Sequence, residues 1–321
     1  MNRFIKTFII SLMIFLAFAG NIVYNQYDIY VKSYEFTPIY SDEWLSEENP
    51  NRGEDENPSP ETLIENSGRI NFLLAGLEGP RTDTIIFISF DPRKNQLDLV
   101  SIPRDTYYYK KGFWEDFDYY PNHKINALYG NKGIEGLERA VQDIIGAEID
   151  NYATITYSGV RGIIDSLGGI DINVPFDMYY VDRWDDPPLV IDIKAGQQVL
   201  NGEKSVQFLR FRQNSDGSVK YGDIQRIGMQ QKFMKEVAKK ALSFKLPLIV
   251  DDVFRHVRTD AKLGELSKYA NLAVGINLEN INFYTIPGDD EFIQGTSFYV
   301  VDYKKTRELI FEIYEIPYDV E

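Results

Sequence analysis

The 321-residue chain has no cysteine and only two histidines, His123 and His256. Without cysteine it can form neither a disulfide nor a Cys-His catalytic pair, and two histidines leave little for a Ser-His-Asp triad or a zinc site. The absence of cysteine is compatible with an extracytoplasmic protein that uses no disulfides. Any chemistry must therefore be sought among carboxylates and arginines.

Two sequence patterns of other protein classes are also missing. No glycine-rich loop is followed by Lys and Ser/Thr, which excludes nucleotide hydrolysis through a phosphate-binding loop of that type. No basic run or aromatic-basic face is present, and acidic residues outnumber basic ones by 49 to 34. We therefore expect no nucleic-acid partner.

The N-terminal segment is apolar. Residues 7–24 contain almost no polar side chain and follow Arg3 and Lys6. About 18 apolar residues are just enough to span a bilayer, and the basic flank favours a cytoplasmic end at 1–6. We predict a single-pass signal anchor in the cell membrane with an extracytoplasmic domain. A cleaved signal peptide ending near residues 17–19 is the alternative, and it gives the same location for the domain.

The next segment, 25–68, is predicted to be an acidic stalk. Residues 41–66 carry nine acids against the single base Arg52, and three prolines interrupt them. Such a composition is typical of a solvated chain, which would hold the following domain away from the membrane. We expect the folded domain at 69–316 and a short tail at 317–321.

The remaining chain mixes strand and helix patterns without a repeat, which predicts one α/β domain with a single mixed sheet and helices on both faces. The first three strands, at 70–75, 84–90 and 96–102, are expected in one sheet. Further strands are predicted at 152–155, 169–174, 281–286 and 297–301, and helices at 136–145, 158–167, 223–244, 263–274 and 303–314.

Two carboxylates flank a turn between the first two strands. Asp83 lies at the mouth of a buried strand, and Glu78 lies five residues earlier across the turn 76–80. Both side chains can face one cation, and Mg²⁺ prefers one or two carboxylates together with water and phosphate oxygens. The alternative is structural, with Asp83 capping the turn or pairing with Arg81.

Arg104 follows Pro103 at the end of a hydrophobic strand. This position places a planar, always charged group at a sheet edge, where ligands commonly bind. Asp105 would orient that group or act as a base. A surface ion pair between Arg104 and Asp105 is the alternative.

A second group of charges lies further along the chain. Arg210 and Arg212 point to different sides of a helix but to one side of an extended segment, so binding of one anion by both requires the helix to end there. Asp223, Arg226 and Gln230 share one face of the following helix. Solvated helix charge is the alternative reading.

Taken together, these clusters resemble the LytR-CpsA-Psr family of cell-wall glycopolymer transferases. The resemblance covers nearly all of the predicted domain, and its segments occur in the family's order. They are Leu73-Leu-Ala-Gly76, Arg81-Thr-Asp-Thr84, Ser101-Ile-Pro-Arg-Asp-Thr106, His123-Lys-Ile-Asn-Ala127, Leu167-Gly-Gly-Ile-Asp171, Leu200-Asn-Gly202 and Arg210-Phe-Arg212.

The resemblance implies a role for each matching residue. Asp83, with Glu78, would bind Mg²⁺, and the catalytic set would be Asp83, Arg104 and Asp105. The residues implied to bind pyrophosphate are Arg104, Arg210, Arg212, Arg226, Gln230 and Lys124. Two positions depart from the family pattern, because Glu78 stands where an aspartate is usual and Met229 replaces the arginine of an Arg-Gln-Gln triplet.

The implied activity is a magnesium-dependent phosphotransfer. An anionic glycopolymer would pass from a polyprenyl-pyrophosphate carrier at the cytoplasmic membrane to a peptidoglycan sugar hydroxyl, forming a phosphodiester. The chain is 44% hydrophobic with 20 Phe and 22 Tyr, and this surplus predicts an apolar tunnel for the lipid beneath the arginines. A non-catalytic binder of wall polymer or lipid pyrophosphate, and a hydrolase of lipid pyrophosphate, remain the rival functions.

Overall fold

The computed structural model describes residues 59–109, 123–185, 188–241, 256–261 and 276–317. The predicted signal anchor at 7–24 and the predicted helix at 263–274 lie outside these ranges. Within them, no helix combines the length and the apolar character needed to cross a membrane.

The described part of the chain contains twelve strands and six α-helices. The strands are β1 Ile70–Glu78, β2 Arg81–Asp91, β3 Gln96–Ser101, β4 Asn151–Thr156, β5 Ile170–Val174, β6 Met178–Asp182, β7 Leu189–Ile193, β8 Gly196–Leu200, β9 Val257–Thr259, β10 Ile281–Thr285, β11 Gly288–Ile293 and β12 Thr296–Val301. The helices are α1 Pro60–Glu65, α2 Leu128–Ile145, α3 Tyr157–Ser166, α4 Gly202–Arg210, α5 Asp223–Ala241 and α6 Tyr303–Tyr314.

Six strands form a central mixed sheet in the order β10-β3-β2-β1-β4-β9. β1 runs parallel to β4 and antiparallel to β2, while β3 runs parallel to β10 and antiparallel to β2. As a result β1, β3 and β4 end, and β2 begins, at one edge of the sheet, which we call the site edge. The opposite edge, where β1 and β3 begin and β2 ends, is the far edge.

Side chains alternate between the two faces of the sheet, as the period of a strand requires. Ile86 and Ile88 of β2 pack with α3, α4 and α5 on what we call the cavity face. Ile85 and Phe87 of the same strand pack with α2 and α6 on the opposite face. The prediction of a mixed sheet with helices on both faces is confirmed, but the prediction of a single sheet is wrong, because the strands expected at 169–174 and 297–301 pair in two-stranded ladders outside the central sheet.

The apolar patterns located the main elements. The predicted helix at 303–314 is α6, and the one at 158–167 is α3 within a residue. The helix predicted at 136–145 begins earlier, at Leu128, and bends at Gly133, whose φ of 74° is non-helical. Between β5 and α5 the sequence predicts no further strand, whereas the structure contains β6, β7 and β8, which form two-stranded ladders outside the main sheet, and the short helix α4.

The structure corrects the predicted end of the acidic stalk. Residues 60–65, expected to be solvated, form α1, which is capped by the Ser59 hydroxyl accepting the Thr62 N–H at 3.3 Å. Ile64 is only 8% exposed and belongs to the core beneath α6. The acidic composition of the segment indicated a solvated chain, so this short helix was not predicted. The folded domain therefore begins before residue 69.

Candidate active site

The sheet topology gathers the predicted site residues at the site edge. Glu78 is the last residue of β1, Asp83 is the third residue of β2, and Arg104 follows the end of β3. Ligands commonly bind at the carboxyl ends of parallel strands, because the chain leaves the sheet there and polar groups can converge. Here β1, β3 and β4 are mutually parallel and end together.

Asp83 is the centre of the cluster, and its side chain is only 7% exposed. Arg104 Nη1 donates to Oδ1 of Asp83 at 2.6 Å, and the Tyr157 hydroxyl donates to Oδ2 at 2.6 Å. Arg226 and Arg212 approach the same carboxylate at 3.6 and 3.8 Å. Asp83 therefore pairs with Arg104 rather than with Arg81, the alternative raised by the sequence.

The two carboxyl groups titrate differently. Burial raises the pKa of Glu78, and its hydrogen bond to Asp83 and the negative charge there raise it further. Burial acts in the same direction on Asp83, but the hydrogen bond with Glu78 and the charges of Arg226 and Arg104 outweigh it, so the pKa of Asp83 falls. Of the two groups, Glu78 therefore binds a proton more readily than Asp83.

Arg210 is held by two acids. Its Nη2 lies 2.6 Å from Oε1 of Glu78, and its Nη1 lies 2.9 Å from Oδ2 of Asp185. α4 ends at Arg210, and Phe211 is already extended, with φ −61° and ψ 129°. This is the helix exit that the spacing of Arg210 and Arg212 required, and it lets both arginines reach the Glu78-Asp83 pair.

The first turns of α5 supply the buried side of the cluster. Arg226 and Gln230 are one helical turn apart and are 4% and 9% exposed. The next residue, Gln231, donates to the backbone oxygen of Tyr284 at 2.8 Å, which ties α5 to β10. Met229, at the position where the family pattern has an arginine, instead packs against the core of the cavity face.

Asp105 and Lys124 form a second, more open pair beside Arg104. Lys124 Nζ lies 2.9 Å from Oδ2 of Asp105, whose other oxygen is 3.9 Å from Nε of Arg104. The side chain of Asp105 is 28% exposed. The Arg104-Asp105 ion pair considered from sequence is therefore long, and the stronger partners are Asp83 for Arg104 and Lys124 for Asp105.

An apolar cavity of about 190 Å³ opens beneath the cluster. Asp83, Tyr157 and Gln230 line one end, and the walls run between the sheet and helices α3 and α5 on the cavity face. Leu99, Val160, Phe233 and Phe283 are among the wall residues. The cavity predicted beneath the arginines from the apolar surplus is present.

The donor set suits Mg²⁺ but does not enclose it. In the described part of the chain no group of three or more His, Cys, Asp or Glu could hold a metal ion. The side chains of Glu78 and Asp83 are nevertheless in hydrogen-bond contact. A divalent cation can take the place of a proton held between two such carboxyl groups. Mg²⁺ commonly completes such a pair with water and phosphate oxygens, so the residues fit the ion.

Two participants were not predicted from sequence. Tyr157 directly follows β4 at the site edge, and burial, the charge of Asp83 and the hydrogen bond to it all raise its pKa. Its place after a parallel strand was a usable signal. Asp185 lies in the β6-β7 connection and meets Arg210 only through the tertiary fold, so no local pattern marked it.

A family model described as the LytR_cpsA_psr family matches residues 36–313. Over 217 residues the chain is 27% identical to the polyisoprenyl-teichoic acid–peptidoglycan teichoic acid transferase TagV of Bacillus subtilis, covering 66% of this chain and 53% of TagV. It is 28% identical over 208 residues to the regulatory protein MsrR of Staphylococcus aureus, covering 61% of this chain and 58% of MsrR. The chain thus spans little more than half of these relatives.

Solved structures share the fold. The crystal structure of Bacillus subtilis TagV superposes with a TM-score of 0.63 at 25% identity, covering 78% of this chain and 98% of that one. Protein gbs0355 of Streptococcus agalactiae superposes with a TM-score of 0.66 at 22% identity, covering 82% and 93%.

Proposed function

The chain belongs to the LytR_cpsA_psr family, and on that premise we propose that it is a phosphotransferase acting on a lipid-linked glycopolymer. It would move an anionic glycopolymer from a polyprenyl-pyrophosphate carrier to a sugar hydroxyl of peptidoglycan and form a phosphodiester. The relative TagV is a polyisoprenyl-teichoic acid–peptidoglycan teichoic acid transferase, which supports the same substrate class for this chain.

One observation carries the proposal: a cluster of arginines lies at the mouth of an apolar cavity. Asp83 belongs both to the arginine cluster and to the lining of the cavity. A ligand that fills the two together has an anionic head and a long apolar tail. A polyprenyl pyrophosphate has this character, with the lipid in the cavity and the pyrophosphate against Arg104, Arg210 and Arg212.

The arginines of the cluster are paired with carboxylates. Arg210 contacts Glu78 and Asp185, and Arg104 contacts Asp83. Phosphate oxygens would take over part of these contacts, and the arginines would then stabilise the charge that develops as the bond to phosphorus breaks. Arg226, Gln230 and Lys124 would hold the rest of the head group.

The reaction exchanges one bond to phosphorus for another. The acceptor hydroxyl oxygen forms a bond to the glycan-side phosphorus, and the bond from that phosphorus to the lipid phosphate oxygen breaks. Lipid phosphate leaves with the electron pair, and Asp105 takes the hydroxyl proton. Asp105 suits this role because it is partly exposed and adjoins Arg104.

Mg²⁺ is proposed as the cofactor, held by Glu78 and Asp83 together with phosphate oxygens. When bound it supplies positive charge that offsets the charge of the pyrophosphate. A proton on Glu78 would compete with the ion, because the pKa of Glu78 is raised, whereas Asp83 is ionised because its pKa is lowered.

We also propose that residues 7–24 anchor the chain in the cell membrane with the folded domain on the extracytoplasmic side. The carrier lipid and peptidoglycan are both available there. The acidic segment before α1 would then space the domain from the bilayer.

The test is a transfer assay with the full chain in lipid nanodiscs, Mg²⁺, a polyprenyl-pyrophosphoryl glycan and peptidoglycan fragments. Mass spectrometry would follow lipid phosphate and the glycan-peptidoglycan adduct. We expect the adduct with wild type and a roughly hundred- to thousand-fold slower reaction with Arg104→Ala. Arg93→Ala is the matched control, since Arg93 is an exposed arginine at the far edge.

Three results would contradict the proposal. Lipid phosphate and free glycan phosphate without an adduct would indicate hydrolysis. Tight substrate binding without either product would indicate a binding protein. Wild-type turnover by Arg104→Ala would remove the arginine cluster from the mechanism.

A further inference from the structure

A pair of tyrosines lies next to the arginine cluster and has no part in the mechanism above. Tyr107 and Tyr109 follow β3 by a few residues, beyond Arg104 and Asp105. Tyr109 is 50% exposed, and Tyr107 is partly exposed. Two neighbouring aromatic rings beside a reaction centre offer a flat apolar surface to a ligand.

The two rings are held in place by packing. The ring of Tyr107 lies 5.1 Å from that of Phe298 in an edge-to-face arrangement and 6.1 Å from that of His123. Tyr109 lies 5.2 Å from His123 at an interplanar angle of 50°. Phe298 and His123 are buried, so they form a floor for the more exposed tyrosines.

Backbone hydrogen bonds also hold the segment that carries the two tyrosines. Tyr107 donates its N–H to the carbonyl oxygen of Tyr299 at 2.8 Å, and Tyr299 donates its own to Asp105 at 3.0 Å. Tyr107 also pairs in an isolated antiparallel bridge with Lys124. The segment after β3 is therefore attached to β12 on one side and to Lys124 on the other, which pre-organises the rings.

Charged groups border the aromatic surface. Lys124 Nζ lies over the ring of Phe298 at 5.7 Å and contacts Asp105 at 2.9 Å. A sugar ring presents apolar C–H faces and polar hydroxyl edges, so it matches a surface that combines aromatic rings with a few hydrogen-bonding groups. Asp105 and Lys124 are placed to receive those hydroxyls.

The direction of approach distinguishes this surface from the lipid cavity. The lipid cavity is lined by Asp83 and by residues of the cavity face, and neither Tyr107 nor Tyr109 is among its lining residues. Arg104 is near both carboxylates: it contacts Asp83 at the cavity mouth and approaches Asp105 at 3.9 Å. In phosphoryl transfer the attacking and leaving oxygens are roughly in line. With the lipid phosphate leaving toward the cavity, the acceptor oxygen enters from the opposite direction, and Asp105 is the carboxylate near Arg104 that does not line the cavity.

We propose that Tyr107, Tyr109 and Lys124 form the subsite for a sugar ring of the acceptor glycan and present its hydroxyl to Asp105. The inference rests on the proposed transferase function and adds to it the location of the acceptor. The tyrosines bind the sugar by stacking, and Lys124 binds a hydroxyl while it holds Asp105 in position.

The experiment compares Tyr109→Ala with Tyr179→Ala in the full chain. Tyr179 is a matched control because it is 54% exposed, on β6, and takes no part in either site. Isothermal titration with a peptidoglycan tetrasaccharide measures sugar binding without donor, and the transfer assay measures KM for acceptor and donor separately. We expect Tyr109→Ala to raise the tetrasaccharide Kd and the acceptor KM about tenfold, with donor KM unchanged. Tyr109→Phe should retain most of the affinity, because stacking needs the ring.

The outcomes separate this subsite from the transferase proposal. Unchanged acceptor KM in Tyr109→Ala would overturn the subsite and leave the transferase intact. A rise in donor KM alone would assign the surface to the donor glycan and would also overturn it. Loss of tetrasaccharide binding in Tyr109→Ala alone would support the subsite even if the wild-type chain transferred nothing.

Discussion

Two clusters of arginine and aspartate lie at the two edges of the same sheet, and they differ in what surrounds them. At the far edge, Arg69 and Asp98 are 3% and 0% exposed and form an ion pair. Arg69 also donates to the Ser89 hydroxyl at 2.8 Å and to the Ile313 carbonyl at 3.1 Å. Asp98 accepts further from Asn282 at 2.8 Å. Every partner comes from the protein itself.

At the site edge the cations face outward as well as inward. Arg104, Arg210 and Arg212 have side chains that are 18%, 21% and 46% exposed, and each contacts a carboxylate of the cluster. Asp83 also lines the apolar cavity. The cluster at the site edge thus has room for an anion, and the buried ion pair at the far edge does not.

The comparison shows that buried charge alone does not indicate a functional site. A closed ion pair in which both partners are hydrogen-bonded ties β1, β3 and α6 together. An open cluster of several arginines beside a cavity can exchange its partners for a ligand. The two edges should therefore respond in opposite ways to substitution.

The largest expected effect is on stability at the far edge. Asp98→Ala leaves Arg69 buried without its carboxylate, and breaking such a pair costs about 3–5 kcal/mol of unfolding free energy. Urea denaturation measures the loss. Asp83→Ala, at the site edge, should abolish transfer while costing less stability, since Arg104 can turn to solvent. If Asp83→Ala destabilised the domain more than Asp98→Ala, the contrast between the edges would be wrong.

Next is the cavity. Val160→Trp places a large ring in the wall between α3 and the sheet, where the carrier lipid is proposed to lie. The ring would displace the lipid and with it the reacting phosphate, and a small displacement of a reacting group lowers the rate strongly. Transfer from a long-chain carrier should therefore fall by roughly a hundredfold. A short-chain carrier should react nearly as before. Val199→Trp is the control, since Val199 is exposed on β8. Equal losses with both carriers would argue against a lipid in the cavity.

A smaller effect is expected when one hydroxyl is removed. Tyr157→Phe deletes the donor to Asp83, and a hydrogen bond to a charged group contributes about 1.5–3 kcal/mol. We expect kcat/KM for transfer to fall at least about tenfold. Tyr108→Phe removes a similar buried bond, from Tyr108 to Asp143 at 2.5 Å on the opposite face, and should lower stability without lowering transfer per folded molecule. Equal transfer losses in both variants would point to a structural role for Tyr157.

The smallest effect concerns pH. The pKa of Glu78 is raised above its ordinary value of 4.5, so protons compete with Mg²⁺ until the pH exceeds the raised value. Mg²⁺ affinity, measured by titration calorimetry, should increase a few fold as the pH rises through that range and then level off. Glu78→Gln should abolish the increase, and a pH dependence that survives in this variant would exclude Glu78 as its source. Asp83 adds no dependence near neutrality, because its lowered pKa keeps it ionised.

The same pKa directions predict how stability depends on pH. Asp83, with a lowered pKa, stabilises the fold above the pKa of its unfolded form, and this contribution is lost on acidification through the folded value. Glu78, with a raised pKa, contributes below its unfolded pKa and loses that contribution as the pH rises through the folded value. The two trends oppose each other.

Much of the fold and of the site could be predicted from local sequence. The run of apolar residues in β2, the proline before Arg104 and the spacing of Arg210 and Arg212 are local signals, because strand period, chain direction and helix ends depend on near neighbours. The order of the short polar segments indicates the same residues through their resemblance to one family. What the local patterns missed were short elements stabilised by distant contacts, such as α1 and the β6-β7 hairpin.

Sequence alone thus determined the types of the longer elements, the candidate charged residues and the expectation of an apolar cavity. Only the tertiary structure decided which charges meet. Tyr157 reaches Asp83 across 74 positions, and Arg210 reaches Glu78 across 132. Only the fold, too, brought Arg104 against Asp83, which lines the cavity, and left Tyr107 and Tyr109 outside the cavity lining. The physical reason is that pairing, burial and pKa depend on distance in space, which the chain sets by packing two helical layers against one sheet.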